Sequence, residues 1–243
     1  FTLTATDEES DDATFAEGSS CESWMTVGDG GAGDMTGTIT IAQAALTDAR
    51  VGDHDCDITI TDGTSTALYT YTVTISQVND EPTLTATAGN PTHTEGSSGE
   101  TLYSSAAAAD SDSQATQTFT SLTFTVTNVQ DTTESIYLDG GWENLAAMGS
   151  TDTTTSNSYT FQITGCSTTC TVALTGMTLT ATQMQSLVDG LKYKNSDDSP
   201  TDANRVVTIT QMTDSGGTSD SGDDTVTLSI VSTVNVDLAN DAP

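Results

Sequence analysis

Apolar and hydroxyl-bearing residues alternate one by one along most of this chain. That periodicity constrains the fold more than any other feature. Thr38-Ile39-Thr40-Ile41, Asp57-Ile58-Thr59-Ile60 and Tyr69-Thr70-Tyr71-Thr72-Val73-Thr74-Ile75 each place β-branched or aromatic residues on one face and hydroxyls on the other. Leu122 to Val126, Tyr159 to Ile163, Val207 to Thr210 and Val226 to Ile230 continue the pattern, with Gly and Asp clusters between runs. A period of two broken by turn residues predicts antiparallel sheets packed as sandwiches. Thr180 to Gly190 departs from it, with apolar residues near helical spacing. Thr180 or Thr182 can cap a short helix there and Gly190 can end it. Ala106 to Ala109 is too short for an independent helix.

Two runs of strands close alike, on Val78-Asn79-Asp80-Glu81-Pro82 and on Ala239-Asn240-Asp241-Ala242-Pro243. The Pro stops a strand and stiffens the path, while Asn and Asp offer oxygens to a cation. The repeat predicts two modules, residues 1–80 and 81–243. Phe1 to Ala5 reads as the middle of a strand, so the first module is expected to lack its first strand. The second is enlarged by the helix and by a polar loop from Gly149 to Asn157.

Four basic residues face 35 acidic ones in 243 residues, a net charge of −31. Such a surface repels nucleic acid and anionic membrane. Divalent cations, Ca²⁺ above all, neutralise paired carboxylates with hard oxygen ligands. No stretch approaches the roughly 20 apolar residues of a membrane helix. Cys166 and Cys170 bracket three residues and read as a local disulfide clamping a turn, which leaves Cys21 to pair with Cys56. Four Cys permit three pairings, so this is a preference. Disulfides imply an oxidising, extracellular or cell-surface setting.

The acidic residues sit near module ends. The first module has Asp7-Glu8-Glu9, then Asp48 and Asp53 in a loop, then Asp62-Gly63; the second has Asp110-Ser111-Asp112, then Asp197, Asp198 and Asp202, then Asp214-Ser215-Gly216-Gly217. Alternate loops of a sandwich gather at one end. A junction site is therefore expected from Asp48, Asn79, Asp80 and Glu81 on one side and Asp110, Asp112 and Asp214 on the other. Asp7, Glu9 and Asp62 form the corresponding set facing the preceding module.

With Thr6-Asp7-Glu8-Glu9, Thr61-Asp62-Gly63, Val78-Asn79-Asp80-Glu81-Pro82, Asp110-Ser111-Asp112, Thr213-Asp214-Ser215-Gly216-Gly217 and Asn240-Asp241-Ala242-Pro243, the chain resembles the cadherin-like repeats of bacterial giant extracellular adhesins. Leu187 to Tyr193 and Asn204 to Thr208 add to the likeness. The resemblance implies an all-β chain of two tandem Ig/cadherin-like sandwiches whose junctions bind Ca²⁺ and stiffen a rod. Linkers of that family usually carry an Asp two residues before the Asn. Gln77 and Leu238 stand there, which implies one or two ions per junction.

Nothing reads as catalytic. His54 lies in Asp53-His54-Asp55, read as a solvent loop, and His93, two residues from Glu95, on an expected edge strand, with no nucleophile motif beside either. Trp24 reads as core packing near the disulfide and Trp142, after two glycines, as a surface aromatic. The function expected is structural: a calcium-stiffened segment of an adhesin, surface layer or filament. Its partners are adjacent repeats of the same or identical chains, with head-to-tail strand addition as one means of joining. The alternative is a module that binds surface glycans through the second module's loops.

Overall fold

A computed structural model describes residues 1–6, 12–43, 50–112, 117–147, 149 and 151–238. The chain divides into two compact units, Phe1–Gln77 and Val78–Pro243. The division puts Asn79, Asp80 and Glu81 in the second unit.

Unit 1 is built from two three-stranded sheets. One runs in the order β1 (Thr2–Thr4), β4 (Thr36–Ile41), β3 (Met25–Asp29). The other runs β2 (Thr14–Glu17), β5 (Gly52–Thr61), β6 (Thr66–Ile75). All four pairings are antiparallel. The alternating residues Phe15, Ile39, Cys56 and Ile58 point inward, joined by Trp24 and Met25. Cys21 and Cys56 form a disulfide at this core, and Trp24 is 5% exposed. His54 and Asp53 lie within β5, not in a loop as the sequence suggested. The β-branched run that follows, Ile58-Thr59-Ile60, carries the strand straight through the acidic stretch. On the outward face Asp53, Asp55 and Asp57 accept hydrogen bonds from Thr74, Thr72 and Thr70, their cross-strand partners, at 2.7, 2.6 and 2.7 Å.

Unit 2 opens with β7 (Thr83–Ala88), β8 (Thr92–Thr94), β9 (Glu100–Thr101), β10 (Tyr103–Ala109) and β11 (Phe119–Thr127). β12 (Glu134–Leu138), β13 (Gly141–Asn144), β14 (Thr151–Thr153), β15 (Thr160–Thr164) and β16 (Thr169–Thr175) follow. Then come α1 (Ala181–Asp189), β17 (Lys192–Asn195), β18 (Arg205–Asp214) and β19 (Thr225–Asp237). One sheet has the order β14-β15-β16-β11-β18-β19-β8. Facing strands run β13-β12-β17-β9, continued by the pair β10-β7. Only β19 with β8 is parallel among these pairings. Leu122, Phe124, Val126, Val172, Leu174, Val207 and Ile209 alternate into the core and are fully buried. Each such side chain contributes about 1.5–3 kcal/mol of transfer free energy. Cys166 and Cys170 form a disulfide in the β15–β16 turn. The Gly149–Asn157 stretch is not all loop, since β14 adds an edge strand from it.

The helix forms where its capping residues predict it. The Thr180 hydroxyl accepts from the Gln183 amide while the Gln183 side chain accepts from the Thr180 amide, a reciprocal capping box. Met184, Leu187 and Val188 bury one face. The Ala106–Ala109 segment is strand, as part of β10. The β7–β10 register shifts between Ser104 and Ala107, and Ser105 takes φ 52°. That bulge frees the Ala106 amide, which donates instead to the Asp189 carboxylate at the helix end, 2.9 Å away.

Candidate metal centre

The irregular segment that leads into β7, from Val78 to Pro82, runs beside two acidic turns of unit 2. Asp110 and Asp112 follow β10, and Asp214 ends β18, so the topology brings their turns to one end of the sandwich. Asn79 ties them together. Its Nδ2 donates to both Asp214 oxygens at 3.1 and 3.3 Å and to the Asp223 carbonyl at 2.7 Å. Its Oδ1 accepts from Gln117 Nε2 at 2.8 Å, and the same Nε2 reaches Asp112 Oδ2 at 3.3 Å. Its carbonyl accepts from the Asp223 amide. The Asp80 amide lies 3.4 Å from each Asp112 oxygen, and Ser111 Oγ donates to Asp80 Oδ2. Gly216 is required beside this junction, because a Cβ there would overlap the Asn79 side chain.

The electrostatics are unfavourable for free carboxylates. Burial pushes Asp214 above the usual carboxylate range, and the charges of Asp224 and Asp112 push it further. Asp110 is raised for the same reasons, first by burial and then by the charges of Asp112 and Asp214. Amide hydrogen bonds from Gly216 and Asp112 offset only part of this. Asp110 Oδ2 is buried and has no hydrogen-bond partner. An orphaned carboxylate oxygen among like charges is costly unless a cation completes it. Among the described residues no three His, Cys, Asp or Glu side chains form a ready-made metal cage. The oxygen donors here are carboxylates of Asp80, Asp110, Asp112 and Asp214 together with the Asn79 amide oxygen, a set that suits a hard cation with oxygen ligands.

Asp7, Glu9 and Asp48 lie outside the described residues. Glu81 is exposed on the linker. Asp62 sits in the β5–β6 turn of unit 1, where it accepts from the amides of Thr64 and Ser65 and from the Thr64 hydroxyl. Hydrogen bonds from the Ser65 and Thr64 amides hold its carboxyl below the usual range.

Sequence reasoning missed a second polar cluster. Arg205, wholly buried, donates to Glu134 and Asp131 at 2.8 and 2.9 Å and to the carbonyls of Thr201 and Ala203 at 2.8 and 2.6 Å. Tyr193 donates to Glu134, and Asp131 also accepts from Asn195 and Thr201. The one available signal was an Arg opening a strand in a chain with four basic residues. This cluster fixes two loops and uses up its ligands internally. His93 is buried with Nε2 at 3.0 Å from the Asn195 carbonyl, and His54 Nε2 contacts the Arg50 carbonyl.

Trp142 lies half-buried on β13, its ring edge against Gly99 and 5.3 Å from Tyr137, with Lys194 Nζ 4.5 Å from its centroid. Near it a cleft of about 330 Å³ is lined by Tyr137, Tyr159, Asn157, Gln183 and Ser186 among others.

No protein-family model matches the chain, and no curated protein matches it. Solved structures resemble it more loosely. Human protocadherin-24 EC1-2 (form II) is 16% identical, covering 97% of this chain and 87% of that one at a TM-score of 0.47. The zebrafish RET cadherin-like domains 1 to 4 are 10% identical, covering 95% and 41% at 0.32. Drosophila N-cadherin EC1-3 is 13% identical, covering 96% and 92% at 0.26. The two-sandwich fold stands on the strand order described above.

Proposed function

We propose that the chain is a calcium-stiffened structural segment of an extracellular adhesin, surface layer or filament. The observation that carries this reading is the orphaned, buried Asp110 oxygen within a set of carboxylates raised by burial and mutual repulsion. Asp80, Asp110, Asp112 and Asp214 would hold Ca²⁺ with the Asn79 side-chain oxygen. Asp48 and Glu81 would join from the linker side, and Asp7, Glu9 and Asp62 would serve the junction with a preceding repeat. The ion would neutralise the carboxylates and fix the linker against the turns. Gln117 and Gly216 hold Asn79 in place and need no metal to do so. The proposed partners are adjacent repeats of the same or identical chains, joined head to tail. Two disulfides agree with an oxidising location, and no helix among the described residues is long and apolar enough to cross a membrane.

Small-angle scattering with calcium and with chelator tests the reading. Calcium removal broadens the length distribution, and Asp110→Asn with Asp214→Asn does the same in the presence of calcium. A distribution indifferent to chelator defeats the proposal. A second reading, glycan binding, has one observation in its favour: aromatic, amide and hydroxyl groups converge on the 330 Å³ cleft beside α1. Retention on glycan arrays that is lost in Tyr159→Ala would establish it. Trp142 itself packs on its sheet with Lys194 over its ring, which favours the spacer.

A further inference from the structure

The outer face of the β13-β12-β17 sheet carries a sign of charge that is scarce in the rest of the chain. Cross-strand register puts Trp142, Tyr137, Lys192 and Thr101 in one row and Asn144, Ser135 and Lys194 in the next. The alternate row, Glu143, Ile136, Tyr193 and Glu100, takes the opposite face, where Ile136 and Tyr193 are fully buried. The outer rows therefore hold two ammonium groups, two aromatic rings and no carboxylate. Lys192 Nζ lies 5.6 Å from the Tyr137 ring centroid and Lys194 Nζ 4.5 Å from that of Trp142. The rings hold the two lysine stems side by side. Of the four basic residues, Arg205 is wholly buried and Arg50 lies over Trp24 in unit 1. Among the described residues every ion pair involves a histidine or Arg205. Lys192 and Lys194 thus stand together without a carboxylate partner in a chain with 35 acidic residues.

A complementary surface exists on unit 1. Asp53, Asp55 and Asp57 alternate along the outward face of β5, the first two exposed and Asp57 half-buried. Each is held by a threonine hydroxyl, and among the described residues none has a cation partner. Lysines two apart on β17 and aspartates two apart on β5 share one repeat, about 6.4–6.8 Å along an extended strand. We propose that the Lys192–Lys194 face docks against the Asp53–Asp57 row of a second copy of this chain laid alongside the first. The proposal adds a lateral contact to the reading of the chain as one segment among identical chains, and it needs no calcium. Exposed ion pairs contribute little singly. Here Tyr137 and Trp142 add aromatic area beside them. A free polyanion offers its charges at no fixed spacing, whereas β5 holds them at the lysines' own repeat. The two surfaces differ, so the contact is heterologous and passes from copy to copy instead of closing a pair. The net charge of −31 on each copy opposes association, but physiological salt confines that repulsion to about 8 Å.

Sedimentation equilibrium of the full chain over a range of concentrations, in about 0.15 M sodium chloride with calcium and again with chelator, tests this. The expected result is an average mass that rises with concentration past that of a dimer in both buffers. Lys192→Asp with Lys194→Asp, and separately Asp55→Lys with Asp57→Lys, weaken association at least about tenfold. Mixing the two double variants restores it, because each supplies the surface the other has lost. Lys192→Gln with Lys194→Gln keeps polar stems over the rings and also weakens association, which separates lost charge from lost folding. A parent chain that stays monomeric at every concentration overturns the proposal. So do lysine variants that associate as the parent does, or a mixture that stays apart. Retention of the parent but not of the lysine variants on heparin, with no dependence of mass on concentration, also overturns it and assigns the face to a polyanion. Because mass is read with chelator as well as with calcium, failure here is separable from failure of the calcium reading.

Discussion

Arg205 shows how much one cation matters in an anionic chain. It is wholly buried with Glu134, and its donors are shared among two carboxylates and two carbonyls. Breaking such a pair leaves a charge without compensation, so Arg205→Met is expected to cost unit 2 about 3–5 kcal/mol in urea unfolding. Arg205→Met with Glu134→Leu should recover part of that loss, because both charges leave together. Asp214 makes the opposite case. Its pKa is raised above the ordinary 3.8, chiefly by burial. A carboxyl that binds its proton more tightly when folded adds stability below its unfolded pKa and withdraws it as pH rises through the folded one. The calcium-free chain should therefore lose stability as pH climbs out of the usual carboxylate range. Asp214→Asn should flatten that decline relative to the parent, measured by unfolding midpoints across pH. Gly216→Ala displaces Asn79, and a cost of about 1–3 kcal/mol is expected from the overlap.

Elements were more legible than sites. Period-two alternation located the strands because Thr and β-branched residues satisfy a half-wet sheet whatever its neighbours are. The helix was legible from Thr180, Gln183 and Gly190, local signals that need no tertiary context. Thr180→Ala should cost about 1 kcal/mol, seen as a lower thermal midpoint of unit 2. His54 was misplaced because flanking aspartates read as a loop, while cross-strand threonines hold them on β5. The acidic turns of Asp110, Asp112 and Asp214 could be picked out from their spacing, and Asn79 bonds Asp214 directly and reaches Asp112 through Gln117. Gln117 and Asp223 could not be, because their roles arise from backbone turns that no local pattern announces. The disulfides differ in weight. Cys21 and Cys56 are separated by 35 residues, and loop-closure entropy makes their removal cost roughly 4 kcal/mol. Cys166 and Cys170, four apart, give roughly 2 kcal/mol by the same relation. Paired Cys→Ser variants compared by urea unfolding should show that order.

At the level of the whole molecule, 35 acidic residues against four basic ones must be kept from driving the chain apart. Salt alone screens the exposed ones, whereas the partly buried set at Asp110 and Asp214 is screened far less. Monovalent salt should therefore raise stability without restoring the calcium-bound length distribution, a difference that scattering in sodium chloride with chelator can read. The threonine–aspartate rungs across β5 and β6 work on the same problem differently. Each hydroxyl proton is committed to a carboxylate, so the outer face of that hairpin presents a fixed comb of negative oxygens with few donors left over. Any partner approaching that face broadside meets oxygens of one sign and must bring cations of its own.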